Sequence, residues 1–177
     1  IVAFADTLFK ADFKISEGIE GMIWVKQIDD PSAFGVVQLN ATNEIVDFVE
    51  KPTEFVSDLA MIGIYFFKDG AALKRELNYL LDNNMQKGGE YQLPDALRRL
   101  TEKGTTFLPG KVDAWLDCGN KKVTVDTNKN VLNFDHEKGL NLVDKNADII
   151  NSTIIQPCFI GAGAKILDSV VGPHVSI

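Results

Sequence analysis

Only two of the 177 residues are cysteine, and only two are histidine. Cys118 and Cys158 stand far apart and outside any CxxC or Cys/His ligand spacing, which argues against a disulfide framework or a zinc site and for reduced thiols. No apolar run approaches the roughly 20 residues needed to span a bilayer, and no basic segment precedes a short hydrophobic stretch as in a secretory signal. No membrane partner is expected, and the cytoplasm is the expected compartment. Clustered lysine and arginine are missing too: 18 basic residues face 25 acidic ones, for a net charge of -7. Phosphate backbones are bound through clustered positive charge, so a nucleic-acid partner is not expected.

What is present is enough apolar material, 45%, for one ordinary globular core, with 24% charged residues to cover it. An acidic protein that handles small anions must supply positive charge locally, from a metal, a placed lysine or a helix N-terminus.

The apolar run Ile1-Val2-Ala3-Phe4-Ala5 reads as a buried strand that delivers Asp6 at its carboxyl end, where open α/β sheets place their sites. A buried strand at the very start, without an initiating Met, sets the expectation that the chain begins inside a domain. Short β-prone runs over 22–28, 35–39 and 45–49 are separated by turn-forming segments, and the last two are expected to form a hairpin. A strand over 61–67 precedes a helix over 71–81, whose apolar face is expected to be Leu73, Leu77, Leu80 and Leu81. A second helix is expected over 93–103, with Leu93, Ala96, Leu97 and Leu100 inward and Pro94 tolerated in its first turn. Strands over 105–108 and 114–116 and a helix over 121–132 follow. The charged stretch beyond reads as a linker, giving expected domains at 1–133 and 147–177 joined by 134–146.

In the last part Ile154, Ile160 and Ile166 recur every six residues, and Val171 and Ile177 continue after a slip of one. A period of six suits neither a helix nor an alternating strand. It suits a left-handed parallel β-helix, in which each hexapeptide turns one aliphatic side chain inward. Such a coil needs stacked neighbours, so the chain is expected to be cut short at this end as well. Its flat faces lead to the expectation of a homo-oligomer. Within this period, Gly161-Ala162-Gly163 reads as a coil turn rather than a phosphate loop, and His174 and His136 as surface residues.

Taken singly, Asp6, Asp117 and Glu50-Lys51-Pro52 are ordinary turn or strand-exit residues. Their order carries more. A strand-end Asp6 is followed by Phe34-Gly35-Val36-Val37, Phe48-Val49-Glu50-Lys51-Pro52 and Ile62-Gly63-Ile64-Tyr65, then by Gly89-Glu90-Tyr91-Gln92-Leu93-Pro94-Asp95-Ala96 and Trp115-Leu116-Asp117-Cys118-Gly119. This series, over residues 1 to 132, resembles the sugar-1-phosphate nucleotidylyltransferases, most closely the glucose-1-phosphate thymidylyltransferases and uridylyltransferases.

The resemblance implies an α/β fold: the C-terminal part of a Rossmann-like nucleotidyltransferase domain with a mixed sheet, ahead of the β-helix. Asp6, with Ala5 and Thr7 departing from the family's Gly-Asp-Asn pattern, and Asp117, in a Trp-x-Asp-x-Gly segment, match the family's two metal acids. Two carboxylates suit Mg2+, a hard ion that takes one or two protein carboxylates and completes its shell with phosphates and water. Lys51 matches the lysine that meets the sugar phosphate and Glu50 the acid that meets sugar hydroxyls, while Gly35, Gly63 and Tyr65 match positions near the sugar. By resemblance Asp6, Lys51 and Asp117 are the catalytic set. The implied reaction joins a nucleoside monophosphate from dTTP or UTP to a sugar 1-phosphate, glucose 1-phosphate first, and releases pyrophosphate. A mannose-1-phosphate guanylyltransferase, a bifunctional nucleotidyl and acyltransferase, and a non-catalytic assembly subunit are the alternatives. The family's Gly-rich nucleotide segment precedes the strand ending at Asp6, so this chain is expected to be an internal fragment without transferase activity of its own.

Overall fold

The computed structural model describes residues 1–177 and divides into two compact units, Ile1–Trp115 and Leu116–Ile177. The first unit contains β1 (Val2–Ala3), β2 (Thr7–Lys10), β3 (Gly21–Gln27), β4 (Gly35–Leu39), β5 (Ile45–Glu50) and β6 (Leu59–Phe67). After these come α1 (Gly70–Asp82), α2 (Leu93–Glu102), β7 (Phe107–Lys111) and the start of β8 (Ala114–Asp117).

Six of these strands form one mixed sheet in the order β1-β6-β3-β7-β5-β4, with β3 and β7 parallel and the other pairs antiparallel. Two single-residue pairings, Val36 with Ala60 and Ile45 with Phe107, close β6, β3, β7, β5 and β4 into a ring. Side chains alternate across a strand, and the alternation sorts the core into two clusters. Ile23, Val25, Met61 and Tyr65 join Leu73, Leu97 and Leu100 from the helices, while Trp24, Ile62 and Ile64 meet Val112 on the opposite side. Residues 23 to 25 and 60 to 65 are buried on both faces, as in central strands.

The expected buried strand over 1–5 is instead a short edge strand. Only Val2 and Ala3 pair with β6, Ile1 is 82% exposed and Phe4 46% exposed, because β1 has a single neighbouring strand. The hairpin of β4 and β5 is as expected.

Helix α1 starts where the Asp69 carboxylate accepts the Ala72 N–H at 2.9 Å. Its inward face is not the expected leucine set. Leu73 and Leu80 are buried with Glu76 between them, while Leu77 and Leu81 are exposed. Glu76 is inward because α2 supplies its partners: Arg99 Nε at 2.9 Å and the Lys103 ammonium. Arg99 also lies 3.5 Å over the Tyr79 ring. Helix α2 buries Ala96, Leu97 and Leu100 as expected, with Leu93 only partly buried against the same core, and it buries Pro94 and Asp95 as well.

In the second unit, α3 (Lys121–Glu137) begins at Asn120, whose side-chain oxygen accepts the N–H groups of Lys122 and Val123. The helix runs five residues past its expected end and takes in His136, which is exposed. Then β9 (Asp148–Ile150) pairs in parallel with β11 (Lys165–Leu167), and β10 (Thr153–Ile154) with β12 (Val170–Val171). Val143 bridges Ile160 and Phe159 bridges Ser176 in the same sense. Every partner lies 17 residues further along the chain, so the segment is a coil that returns onto itself. Cys158, Ile160 and Ile166 fill it, with Val143, Ile149, Ile154 and Val171 around them. The inward frame therefore opens at Val143, not at 147, and advances in steps of six, five and six. The expected linker over 134–146 shrinks accordingly to the few residues between α3 and Val143.

Helix α3 is tied to this coil. Asn128 Nδ2 donates to the His174 carbonyl at 3.0 Å, Ser176 Oγ donates to Asn128 Oδ1 at 2.7 Å, and His174 Nε2 sits 2.9 Å from Asn133 Oδ1. His174 is thus a packed junction residue rather than the free surface residue expected. No helix is long and apolar enough to cross a membrane.

Candidate active site

In the first unit, the β4–β5 register sets Gly35 opposite Glu50. The glycine is required by what lies above it: a Cβ there would stand 2.5 Å from Met61 Cε and 2.7 Å from Glu50 Oε2. The space left by the missing side chain is where the Glu50 carboxylate rests. Burial raises the Glu50 carboxyl above the ordinary glutamate range, against the opposing pull of Lys51, and the charge of Glu90 adds to the rise.

Lys51 follows with its backbone at φ 44° and its N–H bonded to the Phe34 carbonyl at 3.1 Å. Pro52 is buried next to it, while Lys51 itself is exposed. The strand thus ends in a fixed kink that turns the ammonium outward beside the half-buried acid.

Tyr65 is 3% exposed and belongs to the core. Burial, and then the charge of Glu50, raises its hydroxyl pKa. Its ring centroid lies 5.6 Å from that of Phe4. Gly63 has φ 83°, accepts the Phe4 N–H at 2.9 Å and leaves room that the Phe4 ring fills, since a Cβ would meet that ring at 2.8 Å. Gly35, Glu50 and Tyr65 are therefore grouped on the sheet, and Gly63 joins Tyr65 through Phe4. Asp6 is exposed in the turn just beyond Phe4.

Asp117 opens the second unit, at the end of β8 and ahead of α3. Its Oδ1 accepts the Gly119 N–H at 2.9 Å, and its carbonyl accepts the Thr127 hydroxyl at 2.7 Å. No group of three or more His, Cys, Asp or Glu gathers into a metal site. Asp6 belongs to the first unit and Asp117 to the second; each offers a carboxylate, the donor type that suits a hard cation completing its shell with phosphate and water.

A depression of about 670 Å³ lies beside Glu50 and Lys51, and Gly35, Gly63 and Tyr65 are not among its lining. Lys87, Glu90, Asp95 and Arg98 complete it. These four were not singled out from the sequence as site residues. The motif from Gly89 to Ala96 contains two of them and was the available signal. Gly88 at φ 60° and Gly89 at φ 83° make a two-residue turn in which Lys87 and Glu90 exchange backbone hydrogen bonds of 3.0 and 3.1 Å.

Residues 2–133 match the family model described as Nucleotidyl transferase. The chain is 30% identical over 168 residues to a glucose-1-phosphate thymidylyltransferase of Streptomyces antibioticus, covering 88% of this chain and 46% of that protein. It is 26% identical over 163 residues to the bifunctional protein GlmU of Methanococcus vannielii, covering 88% of this chain and 38% of that protein. Among solved structures, a nucleoside-diphosphate-sugar pyrophosphorylase from Vibrio cholerae RC9 superposes with a TM-score of 0.57 at 18% identity, over 69% of this chain and 52% of that one. That last likeness concerns the fold. The chain spans less than half the length of these two curated relatives.

Proposed function

Since this chain belongs to the nucleotidyl transferase family, we propose that the protein transfers a nucleoside monophosphate from dTTP or UTP to a sugar 1-phosphate, with release of pyrophosphate. The observation that carries the reading is the pairing of a half-buried Glu50 with an outward Lys51 at the rim of one depression. A carboxylate accepts hydrogen bonds from sugar hydroxyls, and a neighbouring ammonium meets the phosphate as a point charge. Glucose 1-phosphate is the first candidate acceptor, supported by the similarity to a glucose-1-phosphate thymidylyltransferase.

Asp6 and Asp117 are the proposed magnesium ligands. When bound, the ion offsets charge developing on the transferred phosphoryl group and orients the reactants. For this chain's own residues the roles are binding and orientation: Lys51 holds the attacking phosphate, Glu50 fixes the ring, and Gly35 keeps clear the space in which Glu50 rests.

The test is turnover of the intact protein with glucose 1-phosphate and each of dTTP, UTP and GTP, with pyrophosphate and nucleotide sugar measured separately. A nucleotide sugar formed in equal amount to pyrophosphate, and lost in Lys51→Ala, is the expected result. Absence of product with every donor and several sugar phosphates overturns the reading.

The 17-residue coil is read here as a left-handed parallel β-helix, on the strength of its inward steps of six, five and six. With the similarity to a bifunctional protein, it favours a second reading in which the same polypeptide carries a separate transferase activity on its coil.

A further inference from the structure

The depression beside Glu50 and Lys51 has two walls that come from separate parts of the chain. One is the end of β5. The other is the turn at 87–90, which carries Glu90. Arg98, on α2, reaches toward both. Its Nε donates to Asp47 Oδ1 at 2.9 Å, and its Nη2 donates to the Phe48 carbonyl, so β5 is gripped just before Glu50. Its Nη1 donates to Asp95 Oδ1 at 3.0 Å. The same Asp95 oxygen accepts the Lys87 ammonium at 2.7 Å, which ties down the turn at 87–90.

All three guanidinium nitrogens are engaged by protein acceptors, and Asp95 is 8% exposed. Such a group braces its neighbours. A solvated ion pair would be worth little, but a buried acid shared by two cations, one of which also donates to a second carboxylate and a backbone carbonyl, fixes geometry. Lysine offers no planar fork and cannot reproduce three acceptors in these directions.

We propose that Arg98 is a positioning residue for sugar 1-phosphate, holding Glu50 at the end of β5, and Lys51 just after it, at a fixed separation from Glu90 through Asp95 and Lys87. The proposal rests on the reading of this depression as the sugar-phosphate site. Glu90 then faces Glu50 across the bound ring as a second acceptor for hydroxyl groups. Loosening the brace weakens sugar-phosphate binding while the nucleotide and the chemical step are spared.

The experiment compares Arg98→Lys and the milder Asp95→Asn with Lys103→Met in the intact protein. Lys103→Met breaks one of the two ion pairs of Glu76, outside this depression, and serves as the control for lost stability. The expected result is a KM for glucose 1-phosphate raised about tenfold in the first two, with kcat and the KM for the nucleotide within about twofold. Lys103→Met is expected to lower Tm with both KM values unmoved. If the wild-type protein turns over but neither variant moves the sugar-phosphate KM beyond the control, Arg98 is not a positioning residue and the reading of the site stands. If the wild-type protein turns over no sugar 1-phosphate at all, the reading of the site fails and this inference fails with it.

Discussion

Glu50 Oε2 lies 2.7 Å from where a Cβ at Gly35 would stand, so the acid occupies the volume its cross-strand partner leaves empty. Gly35→Ala forces the carboxylate or Met61 to move. The expected cost is about 1–3 kcal/mol of stability, as for other overpacked sites. Urea denaturation measures that cost, and a parallel rise in the KM for sugar 1-phosphate reports the displaced acid.

Burial holds Glu50 protonated to a higher pH than in the unfolded chain. Between the two pKa values the native state binds the extra proton, so stability falls as pH rises from the ordinary glutamate value through the raised one. Glu50→Gln removes this penalty. Its Tm is expected to gain on the wild type as pH increases through that window, while its sugar-phosphate affinity stays low. Equal pH slopes for the two proteins contradict the burial argument.

Glu76 behaves in the opposite sense. Hydrogen bonding and charge from Lys103 and Arg99 hold its carboxyl below the ordinary range, so its contribution is present above the unfolded value and is lost as pH falls through the depressed one. Glu76→Ala leaves Arg99 without its acceptor. A loss of about 3 kcal/mol is expected, at the low end for an orphaned buried ion pair because Lys103 reaches solvent. Chemical denaturation at neutral and acid pH checks both the size and the sign.

Gly172→Ala should disrupt the coil of the second unit. Its Cβ would fall 2.1 Å from the Ile155 carbonyl oxygen and 2.4 Å from Cys158 Sγ, at φ 108°. Overpacking and an unfavourable backbone together are expected to cost about 3 kcal/mol or more. Faster amide exchange confined to residues 143–177 is the expected signature.

Asp117→Asn keeps the shape of the side chain and removes its charge. Turnover is expected to fall about 100-fold, the usual scale for a lost preorganised electrostatic contact, and to fall furthest at limiting magnesium. Unchanged turnover at low magnesium ends its assignment as a metal ligand.

Local pattern was enough to read β4, β5, β6 and α2, because their side chains obey one period and their ends carry Pro, Gly or Asn. Where partners lie far off in sequence, pattern failed. Glu76 has no place in the expected leucine face of its helix, yet it is buried because Arg99 and Lys103 meet it from another helix. Arg98 has no sequence neighbour that announces Asp47, 51 positions away. The strand at residues 7–10 was missed because it follows Asp6 without a clear alternation. Val143 escaped the six-residue count because the step from Ile149 to Ile154 is one short. The candidate site was legible to the extent that Glu50, Lys51 and Gly35 lie on one hairpin. Its second wall was not, since it is assembled by side chains meeting across β5 and α2.

The ring of β6, β3, β7, β5 and β4 acts as a hoop that resists widening, since spreading one pair of strands strains every other. Gly35, Glu50, Gly63 and Tyr65 all ride on it. Asp6 does not: it lies in the turn between β2 and β1, the latter joined to the hoop by two residue pairs along one side. The chain thereby sets Glu50 and its glycine partner on a closed frame, where neither can shift without the strands around it, and leaves Asp6 outside that frame in an exposed turn.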